Sequence, residues 1–265
     1  MPLSSSDRFL GRVEAYAKYR PSYPAAAIDL LAARCGLKPG VHAVDLGSGT
    51  GILSALLLQR GAHVFGIEPN REMRAYSELA LGGEFHTESG TAENTHMPDR
   101  FFDLLVAGQA FHWFDPRKAR VEALRILKPG AWAALFWNER QKGVVPFLED
   151  YEALLRRYAP EYDAVAALRA QDEGIGEFFG HPPQLATFPN QQVLDFEGLA
   201  GRVMSSSYAP TRDQPEHGPL MAGLREMFDG HQCDGKLVFP YETLVYFGQP
   251  DRPAQADTQV CVHQA

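Results

Sequence analysis

The most constraining feature of the sequence is a short apolar run that ends in an acidic residue and three alternating glycines. It reads Val-Asp-Leu-Gly-Ser-Gly-Thr-Gly over residues 44–51. Glycine lacks a Cβ atom, so it adopts positive φ without steric cost and lets a ligand lie against the main chain. The run predicts a strand, a glycine loop and a helix start, and we interpret the loop as a site for a nucleoside-bearing cofactor.

Apolar segments of strand length alternate with segments of helical periodicity through the first half of the chain. Strands are predicted at 41–46, 63–68, 85–87, 102–107 and 131–137, and helices at 24–35, 52–59, 72–81 and 116–127. Because parallel neighbours cannot be joined by a tight turn, this alternation requires crossover helices. The expected fold class is α/β, with a doubly wound, mostly parallel sheet.

The alternation of strand and helix patterns stops after residue 145. Helices are predicted at 147–158 and 193–205, while 171–190 is rich in Gly, Pro and aromatic residues without clear periodicity. Residues 237–247 return to β-rich composition, and Pro240 favours an edge strand or a bulge there. The predicted division is an α/β core with an N-terminal flap at 1–145, a helical cap or substrate region at 146–235, a sheet-closing strand at 236–248, and a flexible tail at 249–265.

Composition argues against several classes of function. The net charge is −8 and no block of Lys or Arg occurs, which disfavours a nucleic-acid surface. No apolar run approaches the roughly 20 residues of a membrane helix, and the N-terminus does not resemble a signal peptide. The three cysteines are widely spaced and predict neither a disulfide framework nor a metal site. We expect a cytoplasmic monomer or homodimer that acts on a small molecule.

The spacing of the glycines separates this loop from a dinucleotide-binding loop. Dinucleotide folds show Gly-x-Gly-x-x-Gly, whereas this chain has Gly47, Gly49 and Gly51 in strict alternation. Glu68 follows Gly47 by 68 − 47 = 21 residues, close to the spacing of about 20 that places a carboxylate on ribose hydroxyls in such folds. The sequence therefore indicates a nucleoside cofactor and disfavours NAD.

Five segments in order resemble the successive motifs of class I S-adenosylmethionine-dependent methyltransferases. They are residues 44–51, 66–70, 90–93, 110–114 and 127–131. The resemblance covers about residues 7–140, and Tyr19-Arg20-Pro21-Ser22-Tyr23-Pro24 with Phe111-His112-Trp113-Phe114 is most similar to the small-molecule branch. That branch includes trans-aconitate methyltransferase and the C-methyltransferases of ubiquinone and menaquinone biosynthesis. The resemblance implies a seven-stranded sheet, the cofactor S-adenosyl-L-methionine and the product S-adenosyl-L-homocysteine.

The resemblance also implies a set of site residues. The implied cofactor-binding residues are Tyr16, Arg20, Asp45, Gly47, Ser48, Gly49, Gly51, Glu68, Pro69, Ala92, Glu93, Gln109 and Ala110. Substrate contacts are implied for Tyr23, His112, Trp113 and Asn138, and no metal is expected. Within this set, Glu68 would accept hydrogen bonds from the ribose and Asp45 would support the loop and the cofactor's ammonium. Ala92 and Glu93 would flank the adenine.

Some of these assignments have alternatives. His112 is the candidate catalytic base, although lining of the cofactor pocket together with Trp113 is the favoured interpretation. Tyr16, Tyr19, Arg20 and Tyr23 form either a flap over the cofactor or an ordinary aromatic and basic surface. At the level of function, the alternatives are a protein that binds S-adenosylmethionine without catalysis and, ranked last, a nicotinamide oxidoreductase.

Overall fold

A computed structural model describes residues 12–251, apart from 142, 144 and 170–172. The helices are α1 Val13–Tyr19, α2 Ala25–Arg34, α3 Ile52–Leu58, α4 Arg71–Leu81, α5 Pro116–Ile126, α6 Pro146–Tyr158, α7 Tyr162–Arg169, α8 Glu173–Phe179, α9 Phe196–Met204 and α10 His217–His231. The strands are β1 His42–Leu46, β2 His63–Ile67, β3 Phe85–Glu88, β4 Phe102–Gly108, β5 Leu127–Arg140, β6 Gln184–Leu194 and β7 Leu237–Gly248.

The chain divides into two compact units. The first, here called the sheet unit, comprises the described residues within 22–138, 171–189 and 243–265. The second, here called the helical unit, comprises the described residues within 1–21, 139–170 and 190–242. This division separates residues 171–189 from the rest of the predicted cap and assigns them to the sheet unit.

The sheet has seven strands in the order β3-β2-β1-β4-β5-β7-β6. Strand β1 pairs in parallel with β2 and β4, and the β2–β3 and β4–β5 pairs are also parallel. The predicted fold class, a doubly wound and mostly parallel seven-stranded sheet, is confirmed. The chain runs outward from β1 to β3 and then returns to place β4 on the other side of β1. In open α/β sheets, ligands bind outside the carboxyl ends of the strands at such a reversal.

The central strands β1 and β4 are largely apolar on both faces, because helices cover both. Ala43 lies in one buried cluster with Ile28 and Leu31 of α2. Val44, the next residue of β1, lies in a second cluster with Ala119 and Ala123 of α5. Burial on both sides explains why these strands are largely apolar runs, which made them recognisable in the sequence.

The helical unit has its own core. Phe147, Tyr151 and Leu155 on one side of α6 are buried with Leu220 and Leu224 of α10. Their spacing of three to four residues places each set on one helix face. None of the helices within the described part of the chain is both long and apolar enough to cross a membrane.

Several features of the second half differ from the expectations. The helix predicted at 193–205 begins later, because β6 extends to Leu194 and Asp195 caps α9 by accepting a hydrogen bond from Gly198 N at 2.8 Å. Helices α7, α8 and α10 and strand β6 were not predicted. Pro240 lies in β7, which is internal in the strand order, and β6 forms the edge. Of the predicted tail, Asp251 accepts a hydrogen bond from Gly130 N at 2.7 Å, and residues 252–265 lie outside the described residues.

Candidate functional site

The glycine loop links β1 to α3 at the reversal of strand order. Its three glycines all have positive φ, at +67° for Gly47, +55° for Gly49 and +85° for Gly51. A Cβ atom on Gly47 would lie 2.6 Å from Ala110 Cβ, so the loop packs its main chain directly against the segment after β4. Glycine is therefore required at Gly47 by both the backbone conformation and the packing.

Glu68 lies immediately after β2 and is buried. Its Oε2 accepts a hydrogen bond from Gly49 N at 3.0 Å, and its Oε1 accepts one from Asn70 N at 2.8 Å. Burial raises the pKa of this carboxyl, while the bonds from Asn70 and Gly49 oppose the rise. Each carboxylate oxygen can accept more than one hydrogen bond. The carboxylate is thus fixed to the loop and keeps acceptor capacity for a ligand.

Asp45 is buried at the end of β1, where its Oδ2 accepts a hydrogen bond from Ser54 Oγ of α3 at 2.6 Å. Burial raises the pKa of Asp45 to about 7; the nearby Glu68 carboxylate adds to the rise and the Ser54 bond opposes it. A carboxyl group with this pKa responds to any cation that arrives next to it, because the cation favours the ionised form.

Two hydroxyl groups of the loop are buried without a partner. Ser48 Oγ and Thr50 Oγ1 make no hydrogen bond to any described residue. Buried polar atoms are normally satisfied, so unpaired ones in a loop indicate a polar group that is absent from the protein itself. Together with a main chain that leaves no room for a side chain at Gly47, these atoms fit a site for a polar, nucleoside-bearing cofactor such as the expected S-adenosylmethionine.

The segment after β4 closes one side of this region. Gln109 has φ of +56°, a conformation that non-glycine residues seldom adopt, and its Nε2 donates to Asn138 O at 3.1 Å. Its backbone N donates to Phe136 O at 2.9 Å. Backbone strain of this kind clusters at functional sites, where the surrounding structure holds it in place. Ala110, the next residue, is the one that contacts Gly47.

The predicted adenine-flanking residues lie in the loop that follows β3. Ala92 is buried, and Glu93 Oε1 accepts a hydrogen bond from Asp115 N at 2.8 Å, just before α5. The loop is held by Glu122 of α5, which accepts a hydrogen bond from Thr95 N at 2.8 Å. The Glu93 carboxylate therefore has a structural partner, and its contact with a cofactor stays a prediction.

His112 and Trp113 lie in a single turn of 3₁₀ helix after β4. Both side chains are half-buried, and their ring centroids are 4.7 Å apart. Phe111, in the same turn, is buried and makes edge-on contacts with Trp137 and Phe178. This packing anchors the turn to the core and leaves the two neighbouring rings partly accessible.

The predicted substrate contacts Tyr23 and Asn138 both interact with the protein. Tyr23 is buried against Phe136, with ring centroids 5.2 Å apart, and a Cβ on Gly108 would lie 2.6 Å from its hydroxyl oxygen. Asn138 Nδ2 donates to Ser22 O at 3.2 Å, and its Oδ1 accepts a hydrogen bond from Thr243. These contacts give both residues structural roles, and their contact with a substrate remains untested.

Three of the predicted flap residues, Tyr16, Tyr19 and Arg20, belong to the helical unit, and Tyr23 belongs to the sheet unit. The Arg20 guanidinium lies 4.8 Å from the centre of the Tyr16 ring, and its Nη2 donates to Ser205 O at 2.9 Å. Cation–π contact of this kind is worth about 0.5–2 kcal/mol. The flap interpretation stays a prediction, and its residues 1–11 lie outside the described part of the chain.

Sequence reasoning missed three residues that build the site. Ser54 holds Asp45, Asn70 caps α4 by accepting a hydrogen bond from Met73 N at 3.0 Å, and Arg74 Nη1 donates to Pro69 O at 2.9 Å. An asparagine before a helical segment is a typical N-cap signal, so Asn70 was detectable. Ser54 and Arg74 had no such signal, because their partners are set by the packing of a helix on a strand.

The comparisons with known proteins agree on one family. A family model described as a methyltransferase domain matches residues 44–135. An uncharacterized methyltransferase of Mycobacterium tuberculosis is 30% identical over 244 residues, covering 89% of this chain and 93% of the relative. A methyltransferase-like protein of Schizosaccharomyces pombe is 26% identical over 240 residues, with the same coverage of 89% and 93%.

Solved structures share the fold. One from Anaeromyxobacter dehalogenans, described as a type II methyltransferase, superimposes with a TM-score of 0.62 at 20% identity. The superposition covers 88% of this chain and 98% of that one. At this identity the likeness concerns the fold alone.

Proposed function

This chain belongs to the class I S-adenosylmethionine-dependent methyltransferases, and from that premise we propose that it methylates a small-molecule acceptor. The observation that carries the proposal is the Glu68 carboxylate, buried and fixed by two backbone amides beside a glycine loop with unpaired hydroxyls. These groups match the polar surface of a nucleoside joined to an amino acid. The net charge of −8 supports a small acceptor in preference to a nucleic acid.

We propose which residues of the sheet unit bind each part of the cofactor. Glu68 would accept the ribose hydroxyls, and the loop from Gly47 to Gly51 would lie against the methionine part. Asp45 would face the ammonium group, and the amides at the start of α3 would favour its carboxylate. When bound, the cofactor supplies a methyl group on a positively charged sulfur.

The main task of the residues around such a cofactor is to align the acceptor with the methyl group and to exclude water. Methyl transfer is an in-line displacement, so an acceptor atom held about 3 Å from the methyl carbon gains much of its rate from orientation alone. A carboxylate acceptor is already nucleophilic at neutral pH. The site residues then need only hold the acceptor in line, whereas a phenol, an amine or a carbon acid would need His112 or a tyrosine to remove a proton.

We expect His112→Ala to retain activity within about tenfold, because alignment rather than proton transfer supplies most of the rate. The measurement is kcat with the identified acceptor, together with S-adenosylhomocysteine affinity in the same preparation. A loss of more than about 100-fold in kcat at unchanged affinity would instead assign His112 as a general base.

The affinity for S-adenosylhomocysteine is expected to fall as the pH drops below about 7, the pKa to which burial raises Asp45. Between pH 3.8, the ordinary pKa of Asp45, and about pH 7, the folded protein keeps this carboxyl protonated while the unfolded chain ionises it. The free energy of unfolding therefore falls as the pH rises through that range. Binding of the ammonium favours ionised Asp45 and releases the proton. Because binding releases one proton, the affinity falls by up to about tenfold for each pH unit below the pKa.

Calorimetry between pH 5.5 and 8 measures this slope, and Asp45→Asn is the matched control. The variant should bind more weakly at pH 8 and should show little dependence on pH. A slope of equal size in the variant would assign the proton to another group and remove the proposed contact between Asp45 and the ammonium.

Transfer of a labelled methyl group from S-adenosylmethionine to a pool of cellular metabolites tests the proposed function. We expect a labelled small molecule that disappears in Glu68→Ala. Tight binding of S-adenosylhomocysteine without any labelled product across a broad pool would favour the alternative, a protein that binds the cofactor without catalysis.

A further inference from the structure

The helical unit contains two arginines in its interior that lack a matching pair of carboxylates. Arg202, in α9, is 5% exposed, and the side chain of Arg140, at the end of β5, is 15% exposed. The Arg140 guanidinium lies 5.4 Å from the centre of the Tyr151 ring. Arg202 lies 6.0 Å from the centre of the Phe239 ring, which packs edge-on against Tyr151 with ring centroids 5.3 Å apart. We call Arg140 and Arg202, together with Tyr151, Tyr162 and Tyr241, the arginine cluster.

Arg202 is bonded to neutral groups. Its Nε donates to Tyr241 Oη at 3.0 Å and its Nη1 donates to Ser206 Oγ at 3.3 Å. No carboxylate of the described residues lies within 4.0 Å of its guanidinium, as an ion pair would require. An arginine keeps its charge at every pH that proteins tolerate. Arg202 is therefore a buried cation without a counter-charge of its own.

Arg140 is only partly compensated. Its Nη2 donates to the Tyr162 hydroxyl, and the carboxylate of Glu152 lies 3.8 Å away. Glu152 also pairs with Arg156 at 3.1 Å. The Nη1 atom of Arg140 is buried and has no hydrogen-bond partner among the described residues. The Tyr151 hydroxyl is likewise buried and has no partner there.

The tyrosines do not supply the missing negative charge. Burial raises the pKa of the Tyr151 phenol, and burial likewise raises that of Tyr162, so both stay neutral near pH 7. Arg156, the second partner of Glu152, also pairs with Asp163 at 3.4 Å. The three guanidinium charges of Arg140, Arg156 and Arg202 and the two carboxylates leave a net charge of +3 − 2 = +1. An uncompensated buried charge is costly to a folded protein, and unpaired buried donors add to the cost.

We propose that the arginine cluster is a binding site for the carboxylate group of a small-molecule ligand. One carboxylate balances the net charge of +1, whereas a doubly charged phosphate would exceed it. A carboxylate also matches the planar, two-pronged donor pattern of a guanidinium. Its oxygens would accept from Arg140 Nη1 and from the Tyr151 hydroxyl, the two donors without partners. The inference concerns the helical unit and does not depend on methyl transfer.

The site is tested by thermal unfolding and calorimetry with named probes on the whole chain. Acetate, benzoate, succinate and citrate are titrated at constant ionic strength, beside acetamide and benzamide as neutral counterparts and inorganic phosphate as a competing anion. We expect at least one carboxylate to raise the melting temperature saturably, with its amide and phosphate without effect. The proposal would be overturned if none of the carboxylates raised the melting temperature saturably. Phosphate binding as tight as carboxylate binding would show that the site is not specific for carboxylates.

Arg202→Met is the informative variant, and Arg157→Met, at an exposed position of α6, is its matched control. Arg202→Met should weaken carboxylate binding about tenfold or more, because it removes the positive charge that the ligand would balance, while Arg157→Met should not. The unliganded stability of Arg202→Met should be unchanged or higher, because Tyr241 still donates to Gln192 Oε1 at 2.9 Å. Equal carboxylate affinity in the two variants would overturn the proposal.

Arg140→Lys keeps the charge but loses the planar fork, so it serves if Arg202→Met does not fold. We expect carboxylate binding to weaken in Arg140→Lys as well, and unchanged affinity would overturn the proposal. S-Adenosylhomocysteine is titrated into every variant. Carboxylate binding without any cofactor binding would contradict the proposed function alone, and the reverse would contradict the carboxylate site alone.

Discussion

Replacement of Glu68 by alanine is expected to weaken S-adenosylhomocysteine binding by about 100-fold, from the loss of hydrogen bonds to a charged group. The same change leaves the amides of Gly49 and Asn70 without their acceptor, since both donate to this carboxylate. Unpaired buried donors cost about 1–3 kcal/mol each. The variant should therefore also unfold at lower denaturant concentration.

Calorimetry with S-adenosylhomocysteine and equilibrium unfolding in urea separate the two effects of the Glu68 change. Glu68→Gln keeps one acceptor oxygen and should retain more of both quantities than Glu68→Ala. Glu84→Gln, at an exposed position before β3, is the control for loss of a carboxylate and should match the parent protein. Unchanged affinity in Glu68→Ala would remove the proposed ribose contact.

Gly47→Ala is expected to lower the free energy of unfolding by about 2–5 kcal/mol, from backbone strain and overpacking together. Gly47 has φ of +67°, and a Cβ there would lie 2.6 Å from Ala110 Cβ. Gly36 has a similar φ of +75°, and a Cβ there would meet no atom within 4 Å. Gly36→Ala therefore measures the strain alone, and we expect it to cost about 1–2 kcal/mol.

A double-mutant cycle isolates the steric part of the Gly47 effect. Ala110→Gly removes the atom that the new Cβ would meet, so Gly47→Ala should cost less in that background by about 1–2 kcal/mol. Equal costs in both backgrounds would show that the loop and the segment after β4 are not in the close contact described. The measurement is urea unfolding of the four proteins.

The loop and the Glu68 position were predictable because their signals are local. Positive φ at three alternating positions restricts the residue type to glycine, and a parallel crossover fixes the distance along the chain from Gly47 to Glu68. The central strands β1 and β4 were equally clear, because burial on both faces makes each one a largely apolar run.

Strand β6 shows why the second half was harder to predict. Its residues alternate between partial burial and exposure at the edge of the sheet, and its sequence contains Asn, Gln and Pro. An edge strand packs fewer apolar groups, so its sequence lacks the signal that marked β1 and β4. The helix predicted at 193–205 consequently included residues 193 and 194, which belong to the end of this strand.

The sequence by itself determined the fold class, the glycine loop and the position of Glu68, since backbone conformation and hydrophobic periodicity act between near neighbours. Only the tertiary structure decided that Ser54 holds Asp45, that Gln109 adopts positive φ, and that Arg140 and Arg202 share one interior. These features join residues that are distant along the chain through burial and hydrogen bonds. A charge acquires its pKa and its need for a partner from the surroundings that folding creates, and those surroundings leave no periodic trace in the sequence.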